Sequence, residues 1–396
     1  MGDPTPEELD AYRKELARWL ETHIPDWWRK EEAATSFEVD EERFEDLRLW
    51  HRVLFDAGYL GVQWPTEYGG QGLSIRHEIV RAEELEAGEA PPNVNLLGIT
   101  LCAPALLEFG SEEQKHRYLE KMLSGEEIWC QGYSEPGSGS DLASLQTRAE
   151  LREGGYVVNG QKIWTSNGRQ ADWMFCLVRT DPAAPKHAGI GFLLIDMHSP
   201  GIEVSPLRQM TGGQDFCQVF FTDVRVPPEN MVGEPTKGWR IATTVLQHER
   251  GATVDFMRYG RILERLAEKA RDLRVGGRPL AVDPLFRDRY VRLRVEYEAL
   301  RQNTLRSLQK AQAGEPPGPE SSMYKLQASE FEQRLGRFAV DMQGTYGQLS
   351  GESPHVVDSG IWQFREFWSR SYSIYAGTNE IQRNILAERV LGLPRG

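Results

Sequence analysis

At 396 residues the chain is long enough for two or three domains, each with its own core. Its 59 acidic against 46 basic residues leave a formal net charge of −13, which argues against a partner such as nucleic acid or an anionic membrane held by bulk charge. No apolar run reaches spanning length, the opening Met-Gly-Asp-Pro-Thr-Pro lacks a secretory or transit pattern, and Cys102, Cys130, Cys176 and Cys217 have neither metal nor disulfide spacing, so a reduced, cytoplasmic protein outside the membrane is expected.

Thr5-Pro6-Glu7-Glu8 is a capping box with Pro in the first helical position, and Leu9, Tyr12, Leu16, Trp19 and Leu20 follow at helical spacing. Further helices are predicted near 41–57, 76–87 and 112–124, so residues 1–128 read as an N-terminal helical domain. Its aromatics, among them Trp27, Trp28 and Trp50, read as packing residues. From 129 to 236 the hydrophobic period changes to two, with strands predicted near 145–151, 155–159, 161–166, 172–179, 190–196, 202–206 and 217–226, the pattern of a β-sandwich or barrel. After Lys237-Gly238 helical spacing returns. Tyr290, Leu293, Tyr297, Leu300 and Thr304 form a seam on a long segment at 285–312, and Met323–Met342 and Glu380–Leu391 supply further helices, with an extended stretch through about Phe367 between them. The expected fold is mainly α with a central β domain, residues 237–396 forming a C-terminal four-helix bundle.

One stretch concentrates chemical potential. Gln131 to Asp141 reads QGYSEPGSGSD, a Gly/Ser/Pro loop that turns backbone N–H groups and hydroxyls outward. Asn159-Gly160 lies between β-branched runs and predicts a two-residue hairpin turn, after which the strand delivers Trp164, Thr165 and Ser166. An indole beside two hydroxyls suits a flat heteroaromatic ring, although a Gly/Ser loop and an Asn-Gly turn also occur in β domains that bind nothing. No Lys follows the glycines as a P-loop requires, and Gly137-Ser-Gly139 lacks the third glycine of a dinucleotide fingerprint.

The loop Ser134-Glu-Pro-Gly-Ser-Gly-Ser-Asp141 and the strand Lys162-Ile-Trp-Thr-Ser-Asn167 resemble the two signatures of the acyl-CoA dehydrogenase family of flavoproteins. Pro65-Thr-Glu-Tyr-Gly-Gly-Gln-Gly72, Phe109-Gly-Ser-Glu-Glu-Gln-Lys115 and Tyr375-Ala-Gly-Thr-Asn-Glu-Ile-Gln-Arg383 are similar to further landmarks of that family, in its order, across nearly the whole chain. The resemblance implies FAD as cofactor, an acyl-CoA as substrate, an electron-transfer flavoprotein as acceptor, and a homodimer or homotetramer. It implies flavin contacts from Gln131, Ser134, Gly139, Ser140, Trp164, Thr165, Ser166, Thr378 and Glu380, and substrate contacts from Ser140, Gln247, Arg250 and Gly377. Thr378, at a helix start, is either a seat for a phosphate oxygen or simply an N-cap.

The chain departs from the family where many members carry their catalytic Glu: after Tyr375 stands Ala376, which keeps only its backbone N–H for polarising a thioester carbonyl. In an isovaleryl-type and long-chain-type subset the base precedes an Arg on the first bundle helix. The matching segment here is Leu246-Gln-His-Glu249-Arg250, which makes Glu249 the candidate, with Glu380 the next carboxylate to consider. His248-Glu249 also begins an HExxH pattern, but Ala252 ends it and no metal site is expected. The family's Arg-x-x-Phe-Gly has no match, the region reading Arg274-Val-Gly-Gly-Arg-Pro-Leu, and its Gln and paired glycines are replaced by Asp341 and Gly344-Thr-Tyr-Gly347. Two other readings therefore stand beside the dehydrogenase: a catalytically silent or flavin-poor subunit of a heteromer, and an oxidase-like flavoprotein reoxidised by O2.

Overall fold

The computed structural model describes residues 4–30, 41–249, 255–313, 315, 318–319, 321–349 and 353–394, and of Lys30, Glu41, Glu42, Gln247 to Glu249, Asp255, Phe256 and Ala311 the backbone alone. The chain opens with α1 (Pro6–His23), whose box is closed at both ends: the Glu8 amide donates to the Thr5 hydroxyl at 3.2 Å and the Thr5 amide to the Glu8 carboxylate at 2.7 Å. Then come α2 (Asp26–Lys30), α3 (Glu41–Asp56), α4 (Ile75–Ala87), α5 (Ala103–Phe109) and α6 (Glu112–Ser124). The strands of the main sheet are β1 (Trp129–Gly132), β2 (Arg148–Arg152), β3 (Gly155–Ser166), β4 (Trp173–Arg179), β5 (Ile190–Asp196), β6 (Ile202–Leu207), β7 (Phe216–Val226) and β8 (Met231–Val232). The chain continues through α7 (Gly238–Glu249), α8 (Asp255–Asp272), α9 (Pro284–Gln312), α10 (Ser321–Asp341), α11 (Ile361–Tyr372) and α12 (Asn379–Ile385). Among the described residues no helix is long and apolar enough to cross a membrane.

Two compact units result. One gathers α3, α5, α6, the eight strands and α7. Its sheet runs β6-β7-β3-β2-β4-β5-β8, with β1 pairing parallel to β4. The two halves of this sheet meet through a single parallel pair, Arg148 with Arg179, so β6-β7-β3-β2 and β1-β4-β5-β8 are separately regular. Alternation along β3, β4, β5 and β7 places Val158, Met174, Cys176, Leu193, Ile195 and Val219 in one apolar core. All four cysteines are buried free thiols.

The expected Asn159-Gly160 hairpin is not a turn. β3 runs unbroken past both residues along β7, and a bulge between Val158 and Gly160 absorbs the extra residue. The Asn159 side chain bonds across to β7, accepting from the Asp223 amide at 2.9 Å and donating to its carboxylate at 3.0 Å. A Cβ at Gly160 would lie 2.6 Å from the Thr147 Cα, so the glycine serves close backbone approach. The hairpin proper lies earlier: Arg152 pairs with Gly155 across Glu153-Gly154, where Gly154 takes a left-handed φ of 86°.

The other unit gathers α1, α2, α4 and α8 to α12. Arg13 of α1 pairs with Glu83 and Glu84 of α4, and Arg261 of α8 donates to Glu86 of α4. α8, α9, α10 and α11 enclose an apolar core of Leu263, Leu266, Leu293, Tyr297, Leu300, Phe331, Leu335, Phe338 and Trp362. The seam on α9 runs through this core, and the buried Thr304 returns its hydroxyl to the Leu300 carbonyl at 3.0 Å. The stretch expected to be extended through about Phe367 is helical from Ile361, and a left-handed turn at Asp358 and Ser359 (φ 47° and 53°) starts it. Asp358 braces that turn, pairing with Lys269 of α8 at 2.6 Å and accepting from the Trp362 indole at 2.7 Å.

Candidate active site

Of the residues singled out from the sequence, one set lies on the loop and strand end of the sheet unit and another before and in α12 of the helical unit, while Gln247 and Glu249 end α7 in the sheet unit. In the sheet unit, β1 carries Gln131, the loop after it carries Ser134 to Asp141, and the end of β3 carries Trp164, Thr165 and Ser166. An ion pair locks loop to strand. Lys162, with a side chain 0% exposed, donates to the Glu135 carboxylate at 2.8 Å and to the Tyr133 carbonyl at 3.1 Å. The same carboxylate accepts from the amides of Gln146 at 2.6 Å and Thr147 at 2.9 Å. Burial pushes the Glu135 pKa up, but Lys162 and these hydrogen bonds outweigh it and hold the group below the ordinary carboxylate value. The loop closes on itself through reciprocal Glu135 and Ser138 backbone bonds of 3.0 Å, and the Ile163 amide donates to the Ser134 carbonyl at 2.9 Å. Arg179 braces the next turn, donating to the carbonyls of Ala143 at 2.6 Å and Lys186 at 2.8 Å.

What this frame presents is unusual in two respects. A second bulge between Ile163 and Thr165 puts Trp164 at φ 64°, a conformation rare for a bulky residue, and leaves its ring 58% exposed with its edge against Phe216. The hydroxyl of the next residue, Thr165, and the Gln131 amide nitrogen on β1 are buried without a hydrogen-bond partner among the described residues. Unpaired buried polar groups are costly, so these two atoms are candidates to meet a polar ligand. Ser134 and Ser166 are half-buried, while Gly139 and Ser140 stand exposed on the loop.

In the helical unit, the segment from Ser373 to Thr378 joins α11 to α12. Ala376 and Gly377 both take left-handed φ, 54° and 80°. Thr378 is the N-cap of α12, its hydroxyl accepting from the Ile381 amide at 3.2 Å, which is the capping role. Glu380 is exposed; its own backbone N–H, and then the Thr378 hydroxyl, hold its carboxylate below the usual range, which suits it poorly to take a proton. Glu249 is the last residue of α7; its side chain, that of Gln247, and Arg250 lie outside the described residues. Among the described residues no group of three His, Cys, Asp or Glu is placed to hold a metal.

Sequence reasoning missed the Glu135–Lys162 lock and the Gln382 side chain beneath the Ala376 turn, described below. Lys162 offered one signal, as the one cation in the strand Gly155–Ser166.

Comparison with known proteins gives a consistent picture. The models for the acyl-CoA dehydrogenase N-terminal, middle and C-terminal domains match residues 6–126, 130–224 and 236–391. The acyl-CoA dehydrogenase IpdE1 of Mycolicibacterium smegmatis is 39% identical over 400 residues, covering 98% of each chain. Among solved structures, the Tcur3481-Tcur3483 steroid ACAD aligns over the full length of both chains with a TM-score of 0.85 and 32% identity. The ChsE4-ChsE5 complex from Mycobacterium tuberculosis does so with a TM-score of 0.84 and 31% identity.

Proposed function

This chain belongs to the acyl-CoA dehydrogenase family, and we propose that it oxidises an acyl-CoA thioester to the trans-2-enoyl-CoA with FAD, the electrons leaving to an electron-transfer flavoprotein. The observation that carries the reading is the exposed, left-handed Trp164 together with the Thr165 hydroxyl and Gln131 amide, which lack a partner among the described residues. These residues fit an isoalloxazine ring, the indole covering it and the two polar atoms meeting its edge. Bound there, FAD supplies the acceptor for the substrate's β-hydride. The chain's own part is alignment and proton transfer. Ser134, Gly139, Ser140 and Ser166 complete the cofactor contacts on the sheet unit, and Thr378 and Glu380 are the further cofactor contacts that the family membership implies. Gln247, Arg250 and Gly377 hold the thioester, and the Ala376 N–H donates to its carbonyl, which acidifies the α-carbon. Glu249 accepts the α-proton, a carboxylate in a partly desolvated pocket being a stronger base than one in water.

A second reading draws on two of the solved relatives. Both the Tcur3481-Tcur3483 steroid ACAD and the ChsE4-ChsE5 complex pair two different proteins. With Ala376 in place of the Glu and no Arg-x-x-Phe-Gly match, this chain is a candidate half of such a heteromer, acting on a steroid-type acyl group. The purified protein alone distinguishes the two. The dehydrogenase reading expects it yellow, with about one FAD per chain, and Trp164→Ala perturbing the flavin absorption. A colourless protein that gains no flavin absorbance when FAD is added favours a chain that needs its partner. Reoxidation by an artificial acceptor but not by O2 separates it from an oxidase.

A further inference from the structure

The turn at Ala376-Gly377 is supported from below by side chains that have no role in the reaction as described. Gln382, 1% exposed, donates its Nε2 to both carbonyls of the turn, Ala376 at 2.8 Å and Gly377 at 3.1 Å. Lys325 of α10 donates to the Gly377 carbonyl at 2.8 Å and to the Asn379 side-chain oxygen at 3.2 Å, an oxygen that also accepts from Ser329 at 2.8 Å. A Cβ at Gly377 would sit 2.8 Å from the Gln382 nitrogen, so the turn and its support are packed against each other.

With both carbonyls drawn inward, the amides of Ala376, Gly377 and Thr378 are left without any partner among the described residues. Successive free N–H groups on a left-handed turn form a concavity for negative charge. Ala376 adopts this conformation without being glycine, and the two donors beneath it are what hold it there.

We propose that Gln382 and Lys325 are positioning residues for polarisation of the substrate: they fix the Ala376 N–H at the thioester carbonyl, and the Lys325 ammonium adds a fixed positive charge behind the turn. This rests on the reading above that the Ala376 N–H meets that carbonyl. Preorganised donors of this kind act because they need no reorganisation as charge develops on the oxygen.

The test uses the holoenzyme with Gln382→Met, Lys325→Met and, as conservative control, Lys325→Arg. The infrared carbonyl stretch of an enoyl-CoA carrying a 13C thioester carbon is recorded bound and free, alongside kcat, KM, FAD content and thermal midpoint. Wild type is expected to lower the stretch on binding. Both Met variants should keep FAD and bind the enoyl-CoA with a smaller lowering, with kcat down on the order of 10- to 100-fold and KM little changed. Lys325→Arg should recover most of the shift. Folded Met variants with the wild-type carbonyl shift and kcat overturn the inference and leave the function standing. A wild type that shows no shift, although acyl-CoA reduces its flavin, overturns the role of the Ala376 amide itself. Should Gln382→Met fail to fold, the half-buried Lys325 decides the matter.

Discussion

Lys162 is a charge with no exposed surface, and among the described residues its only anionic partner is Glu135 on the neighbouring loop. A buried pair adds little over well-packed apolar residues, but removing one partner strands the other and costs about 3–5 kcal/mol. Lys162→Met is therefore expected to lower unfolding stability by roughly that amount, read by denaturant titration, and to weaken FAD binding because the loop is no longer tied to the strand bearing Trp164. A variant with unchanged stability and flavin affinity would contradict this. The pH dependence has a definite sign. The Glu135 pKa is lower folded than unfolded, so its stabilisation is complete above the unfolded value of about 4.3 and is lost as pH falls through the folded one. Acid, not alkali, should loosen the loop. Glu249 belongs to this scale as well: its proposed role rests on the sequence, where Ala376 stands in place of a Glu and a missing base at one place in a resembling sequence directs attention to a Glu at the other. Trp164 and Thr165 were legible as residue types, but not the left-handed φ that exposes the indole, since that arises from a bulge set by how β3 registers on β7.

At the scale of elements, capping and periodicity carried most of the information. α1 begins where Thr5 and Glu8 cap it, and α6 is closed by the same device, with the Gln114 amide donating to the Ser111 hydroxyl at 3.2 Å and the Ser111 amide to the Gln114 side chain at 3.0 Å. Asn159-Gly160 misled because a glycine followed by β-branched residues looks the same whether the chain turns or merely passes close to a neighbour. Thr147 on the adjacent segment decides between the two, and a local pattern does not contain it. β1 was hidden inside what reads as a Gly/Ser loop, since its pairing partner, β4, lies more than forty residues on. α11 was missed for a related reason. Its start is a left-handed turn braced by Lys269, almost ninety residues earlier, so the signal for the helix is tertiary.

At the scale of the whole molecule, the inner seam of α9 fills the bundle core, while Val291 and Val295 on its opposite side are 56% and 65% exposed in a chain of net charge −13. The outer side of a long bundle helix is where a subunit contact would sit. The proposed oligomer would cover that side, and light scattering of the purified chain should give the mass of a dimer or tetramer, or of a monomer that assembles only when a second dehydrogenase subunit is supplied. A flavin-replete monomer would contradict the oligomer.

The measurement that bears most directly on the proposed activity is anaerobic reduction of the bound flavin by acyl-CoAs, from short aliphatic to steroid-type, in wild type and in Glu249→Gln. Wild type should lose its oxidised flavin absorbance with at least one of them, and Glu249→Gln should bind the same ester while reducing about 10²- to 10⁴-fold more slowly, the usual scale for a positioned base. A flavin-loaded wild type that no acyl-CoA bleaches would contradict the activity, and a Glu249→Gln protein that reduces at the wild-type rate would contradict the base.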